Sequence, residues 1–172
     1  MNALLLLGEI REARAGSDAL VEADPQDSRL LLLRGDVESA AGDPWEALRW
    51  YRAARSDPTV AGIYLAALQA RYDEIDAALG AGDAARAREL CGALISVAPE
   101  EIHAREVRAH THAMEGRPEL ALRAFEEVLE LEPRSLVALR ALVNLSEALG
   151  DAGRARCYRQ ELLRVGGPGA FE

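Results

Sequence analysis

Apolar residues recur along this chain with the spacing of amphipathic helices. Leu120, Phe125, Val128 and Leu131 fall on one stripe of a helix with 3.6 residues per turn. Alanine and leucine supply most of the apolar side chains, and the β-branched runs that mark strands are missing from the sequence. The pattern therefore predicts an all-α protein.

The predicted helices are separated by glycines at a nearly constant interval. Gly8, Gly42, Gly82, Gly116 and Gly150 lie 34, 40, 34 and 34 residues apart, and an alanine follows each glycine by five residues. A proline closes four of the five units. Glycine tolerates the positive φ that reverses a chain after a helix, and proline stops the helix that precedes it. Three markers with one period predict repeated helical hairpins.

The intervals also predict where the helices lie. Residues 9–23 should form a lone second helix after a break at Gly8, with only residues 2–7 left of its partner. The 40-residue interval should lengthen the first helix of its pair. The predicted helix pairs are 27–41 with 44–56, 59–80 with 83–97, 100–115 with 118–131, and 134–149 with 152–165.

The unit Ile102–Ser135 resembles a tetratricopeptide repeat over its whole length. The family's small, turn, small, aromatic and closing proline positions are occupied by Ala109, Gly116, Ala121, Phe125 and Pro133. The resemblance implies an α-solenoid, a right-handed superhelix of about five antiparallel helix pairs with the first truncated. A single array would span residues 1–165, with units of about 1–25, 28–58, 59–99, 102–135 and 136–166, and a flexible tail over 166–172.

Charge narrows the choice of partner. The formal net charge is −9, which argues against nucleic acid and against an anionic membrane surface and favours a partner with a basic segment. Every basic side chain is arginine, which indicates a GC-rich bacterial source. Neither a signal peptide nor a membrane span is apparent, so we expect a cytoplasmic protein. A leader removed from a longer parent would instead place it in the periplasm.

No sequence motif for catalysis or for cofactor binding occurs, so we expect neither an enzyme nor a cofactor. Cys91 and Cys157 lack the spacing of a metal site or a disulfide framework, and two buried thiols are favoured. His103 and His110 share one helical face but lie too far apart to bind one metal ion without a third ligand. Polar groove residues are therefore favoured over a metal or pH-sensing site.

The resemblance also implies that the first helix of each pair lines a concave groove that binds a peptide or protein. Acidic residues at Asp36, Asp76 and Glu106 favour a basic segment in that groove. They disfavour the clamp with which some family members hold a terminal carboxylate, because only Arg140 and Asn144 offer such a pair. The predicted groove residues are Arg29, Leu32, Asp36, Gln69, Tyr72, Asp76, His103, Glu106, His110, Arg140, Asn144 and Glu147.

A second function remains open, namely a structural segment that self-assembles through exposed repeat ends into a homo-oligomer. Each repeat buries its apolar face only against a neighbour, so an uncapped array should expose apolar side chains at its ends. We expect this at Leu4–Leu7, and at Leu142, Leu149, Leu162 and Leu163. On this interpretation the chain is a piece of a longer array.

Overall fold

The computed structural model describes residues 3–167, and the side chains of residues 8–167. Within residues 3–167 the chain forms nine helices and no strand. The bounds agree with the eight paired helices of the sequence analysis to within two residues at every end. The helices are α1 (Ala3–Ala23), α2 (Ser28–Ala40), α3 (Pro44–Ala54), α4 (Pro58–Gly80), α5 (Ala84–Val97), α6 (Ile102–Met114), α7 (Pro118–Leu131), α8 (Leu136–Ala148) and α9 (Ala152–Gly166).

The chain divides into two compact units, which are described separately. Unit 1 is Met1–Asp73 and contains α1, α2, α3 and most of α4. Unit 2 is Glu74–Glu172 and contains the last residues of α4 and the helices α5 to α9. In unit 1, α2 contacts both α1 and α3. In unit 2, each helix from α5 to α9 contacts the next one along the chain. Both units are therefore built from consecutive helices packed side by side.

The glycine turns close the helical hairpins as predicted. Gly42, Gly82, Gly116 and Gly150 have φ values of 81°, 73°, 71° and 74°. At the first of these turns the Gly42 N–H donates to the Ser39 carbonyl, and the next N–H donates to the Glu38 carbonyl. The other three turns repeat this pair of bonds. This is the Schellman motif, which satisfies helix carbonyl groups and requires the left-handed backbone that glycine adopts most readily.

Aspartates begin three of the second helices. The side chains of Asp43, Asp83 and Asp151 each accept a hydrogen bond from the backbone N–H three residues further on. Pro44 occupies the first turn of α3, where its missing N–H costs nothing. Each of these aspartates therefore caps the helix that follows a glycine turn.

The predicted break at Gly8 is wrong. Gly8 lies inside α1, which runs without interruption over Ala3–Ala23, and its φ is not positive. Gly8 is followed by Glu9, whereas an aspartate follows three of the other turn glycines and Pro118 starts α7 after the fourth. At the other end, α9 includes Gly166, and residues 168–172 of the predicted tail lie outside the described residues.

The core of unit 2 forms where α6, α7 and α8 meet. Phe125 and Val128 are fully buried there with Ala109 and Leu142. Leu120 and Leu131 were expected on the same buried stripe, but they are 44% and 54% exposed. The buried stripe of α7 instead runs through Ala121, Leu122, Phe125 and Val128, because the small alanine side chain lets the helices approach closely.

The core of unit 1 depends on a close contact between α2 and α3. Gly35 lies so near the Tyr51 ring that a Cβ at position 35 would be 2.4 Å from Cε1 of that ring. Tyr51 is 7% exposed, and its hydroxyl donates to Oδ1 of Asp36 at 2.9 Å. A second cluster joins Leu31, Ala54 and Val60 with the partly buried Trp50. Both pairings fix α2 against its neighbours.

The predicted exposure of the end of unit 2 is half right. Leu149 and Leu163 are 38% and 43% exposed, whereas Leu142 and Leu162 are fully buried. Contact between α8 and α9 covers Leu162, which packs against Leu139. The side chains of Leu4–Leu7, where the first exposed patch was expected, lie outside the described residues.

Candidate functional site

Most of the predicted groove residues are accessible. Leu32 and Tyr72 are half-buried, and Glu106 is buried. The remaining nine are exposed, namely Arg29, Asp36, Gln69, Asp76, His103, His110, Arg140, Asn144 and Glu147. They belong to α2, α4, α6 and α8, the first helices of their pairs, so these helices present polar side chains to solvent.

In unit 1 a cleft of about 330 Å³ lies between α1 and α2. Asp36, Val37 and Ala40 form one wall, and α1 supplies Glu9, Ile10 and Ala13. Burial and the hydrogen bond to Asp36 raise the pKa of Tyr51 to about 12, so that bond persists across the physiological range. Four apolar side chains thus line this cleft, together with the carboxylates of Glu9 and Asp36.

In unit 2 a cleft of about 260 Å³ contains three of the predicted residues. Arg140, Asn144 and Glu147 line it from α8. Arg159 of α9 forms an ion pair with Glu147 at its edge. Val143 and Leu162 complete the lining. The cleft thus offers guanidinium, amide and carboxylate groups around an apolar floor.

Glu106 does not match the expected role of a groove acid. Its Oε1 accepts a hydrogen bond from the Ser135 hydroxyl at 2.6 Å, and Ser135 caps α8. The other carboxylate oxygen of Glu106 lies 3.6 Å from Nδ1 of His103. A buried carboxylate requires such partners, so Glu106 ties α6 to the start of α8 and is not offered to a ligand.

His103 and His110, the two groove histidines predicted on α6, have different surroundings. The His110 ring meets the Phe125 ring edge-on, with 4.9 Å between the ring centroids. Burial lowers the pKa of His110, with a smaller lowering from His103 and an opposing effect from Glu106. No group of three or more His, Cys, Asp or Glu side chains in the described residues could hold a metal ion.

The structure adds residues that the sequence analysis missed. Glu9 and Arg159 line the two clefts, although neither belongs to a first helix of a pair. A buried ion network also joins α1 to α2 in unit 1. There Arg34 pairs with Asp18 and Glu38 while its guanidinium covers the Trp50 ring at 5.4 Å. In the sequence, the spacing of four residues between Arg34 and Glu38 already indicated an ion pair on one face of a helix.

Among the helices within residues 3–167, none combines the length and the apolar character needed to cross a membrane. No protein-family model matches this chain, and no curated protein matches it in sequence.

Solved structures do match. The crystal structure of MamA is 19% identical with a TM-score of 0.55, and the match covers 96% of this chain and 93% of that one. The TPR domain of P58(IPK) is 16% identical with a TM-score of 0.52, covering 91% of this chain and 46% of that one. The TPR2AB domain of yeast Sti1, in its complex with pHSP90, is 15% identical with a TM-score of 0.50, covering 92% and 74%. Together with the glycine turns and the helix pairs, these likenesses show that the chain has the tetratricopeptide-repeat fold.

Proposed function

We propose that this chain is a non-enzymatic interaction module that binds a peptide or protein partner on the exposed faces of α2, α4, α6 and α8. The observation that carries the proposal is the cleft of unit 2, which collects Arg140, Asn144 and Glu147 around an apolar floor. Such a surface suits a protein segment, because it offers hydrogen-bonding groups of both kinds beside apolar contact area. The yeast Sti1 domain of the same fold is in complex with pHSP90, which is in keeping with this use.

In unit 1 the charge of the cleft supports a partner with a basic segment. Glu9 and Asp36 are both exposed at an apolar cleft, and no arginine is among its lining residues. In unit 2, Asp76 is exposed at the end of α4. Lysine or arginine side chains of a partner would lie along these carboxylates, and high salt would weaken the association.

Charge reversal at single positions tests the proposal. Partners would be captured from the native host on the wild-type chain, on Asp36→Arg, on Asp76→Arg and on Glu147→Arg, the last in the cleft of unit 2. The controls are Glu22→Arg and Glu130→Arg, which reverse a charge in the same way at exposed positions on α1 and α7. We expect a partner that the wild-type chain and both controls retain, and that at least one of the three test variants releases. Affinity for the purified partner should fall roughly fivefold for each lost contact.

Two results would contradict the proposal. One is a partner that binds all six proteins equally, and the other is a partner whose affinity for the wild-type chain is unchanged at high salt. Glu106 is left out of the variants because it is buried against Ser135, and its replacement would report on folding. Asp36 is exposed but accepts the Tyr51 hydroxyl, so the fold of Asp36→Arg is checked by circular dichroism before the capture.

A second candidate function is self-association through the last helix pair. Leu149 and Leu163 are exposed there, and apolar contact between copies would cover them. Sedimentation velocity over a wide concentration range separates this function from partner binding. A monomer at every concentration removes the candidate, whereas a dimer that Leu163→Glu dissociates supports it.

A further inference from the structure

A third cavity, of about 530 Å³, lies in unit 2 away from the clefts described above. It is formed by α5, α6 and α7, and its floor is made by Gly92, Leu120 and Ala124. The charged and polar groups around it are Arg88, Arg108, His112, Arg123 and Glu127. Three guanidinium groups and one carboxylate line the cavity, and Glu115 pairs with Arg88, which leaves an excess of one positive charge there although the whole chain has a formal net charge of −9.

The three arginines differ in how they are held. Arg88 forms an ion pair with Glu115, and Glu115 is shared with Arg117 at 3.3 Å. Arg108 lies 3.8 Å from Glu127, at the outer limit for an ion pair. Arg123 is exposed and has no ion-pair partner among the described residues. Arg88 is therefore fixed in place, while Arg108 and Arg123 can turn toward a ligand.

His112 reports the potential inside the cavity. Burial lowers its pKa, and the nearby charges of Arg88, Arg108 and Arg117 lower it further against the opposing effect of Glu115. Its Nδ1 is buried without a hydrogen-bond partner in the described part of the chain. Burial is the largest cause, and the additional lowering by Arg88 and Arg108, which line the cavity, indicates a potential that favours an anion.

We propose that this cavity binds an acidic segment of a protein partner, with its Asp or Glu carboxylates on Arg108 and Arg123. Guanidinium groups hold carboxylates with two parallel hydrogen bonds, which suits side chains spaced along a peptide. The apolar floor of Leu120 and Ala124 contacts the methylene groups of those side chains. The site lies on α5 to α7 and uses none of the residues assigned to the first partner.

The test uses a fluorescently labelled hexaglutamate peptide, with hexaglutamine as the uncharged match, and measures anisotropy on the whole chain. Arg123→Gln should weaken hexaglutamate binding roughly threefold, and Arg108→Gln/Arg123→Gln roughly tenfold. Arg134→Gln is the matched control, because Arg134 is an exposed arginine of unit 2 outside the cavity. Folding of each variant is checked by circular dichroism.

A site-specific readout accompanies the affinities. When hexaglutamate binds, the pKa of His112 measured by NMR should rise, because the bound carboxylates offset the charges of Arg88, Arg108 and Arg117. The proposal is overturned if the double variant Arg108→Gln/Arg123→Gln binds hexaglutamate as tightly as the control Arg134→Gln. It is also overturned if the pKa of His112 does not change on binding. Binding of inorganic phosphate but not of hexaglutamate would also overturn it, and would assign the cavity to phosphate groups. Failure of this test leaves the Asp36 and Asp76 experiments unaffected.

Discussion

Replacing Gly35 with alanine perturbs the closest contact between α2 and α3. The new Cβ would lie 2.4 Å from Cε1 and 2.6 Å from Cδ1 of Tyr51, distances at which one group must move. The Tyr51 ring is buried and its hydroxyl is bonded to Asp36, so it has no free direction in which to swing. The substitution therefore forces either the ring or the whole helix to shift.

Two effects of opposite sign decide the outcome. Alanine is the better helix former, which stabilises α2 by about 1 kcal/mol. Overpacking costs about 1–3 kcal/mol, and loss of the Tyr51–Asp36 hydrogen bond adds about 1 kcal/mol. The steric term is larger, so Gly35→Ala should lower the free energy of unfolding by about 1–3 kcal/mol.

Urea unfolding followed by far-ultraviolet circular dichroism measures this change. Gly62→Ala is the matched control, because Gly62 lies on an exposed face of α4 and a Cβ there would meet nothing within 4 Å. Only the propensity effect acts at that position, so Gly62→Ala should stabilise the chain by up to about 1 kcal/mol.

The reasoning is refuted if Gly35→Ala is as stable as the wild type or more stable. A further check adds Tyr51→Leu, which removes the ring that causes the clash. In that background Gly35→Ala should cost much less, because the two substitutions are coupled through one contact. Strictly additive effects would show that the clash is not the cause.

Three further predictions concern the core and the thiols. Ala121→Leu should destabilise unit 2 by about 1–3 kcal/mol in urea unfolding, because position 121 is fully buried; a neutral result would place that alanine toward solvent. Glu38→Gln should cost about 2 kcal/mol, since the guanidinium of Arg34 loses its buried partner but keeps Asp18; no loss of stability would show that the Arg34–Glu38 pair does not stabilise the fold. Cys157 is exposed, so the expectation of two buried thiols is wrong for Cys157 and holds for Cys91, whose burial raises its pKa from 9.0 to about 11. At about pH 8 Cys157 should therefore react with a thiol reagent while Cys91 reacts only on unfolding. The folded state holds the Cys91 proton more tightly, so stability should fall as the pH rises from about 9 to about 11, and equal reactivity of the two thiols would contradict this account.

The helix pairs could be predicted from sequence because several local signals agree. Gly82 and Asp83 are an example of a glycine that ends one helix and a polar residue that begins the next. The glycine adopts positive φ, and the aspartate caps the helix that follows. The conformation of such a turn depends on a few adjacent residues, so it can be predicted from the sequence alone. Gly8 shows that a glycine by itself does not predict a turn. A glycine without a following cap or proline can continue a helix at modest cost, and α1 does so.

The candidate site was less predictable because it depends on neighbours that are distant in sequence. Glu106 follows the pattern of an outward-facing acid, yet the Ser135 hydroxyl lies close enough to donate a hydrogen bond to its carboxylate. Arg159 belongs to a second helix, and only the meeting of α8 and α9 brings it to Glu147. Periodicity assigns a residue to a face of its own helix, and it does not identify which residue of another helix lies opposite.

Site-specific photo-cross-linking tests the central claim of partner binding most directly. The partner retained in the capture experiment would be mixed with chains that carry a photoreactive side chain at Gln69 on α4 or at Asn144 on α8. The controls carry it at Glu22 or Glu130, exposed positions that line neither cleft. The account predicts cross-links from position 69, from position 144 or from both, and none from positions 22 and 130. Cross-links confined to positions 22 and 130 would contradict it.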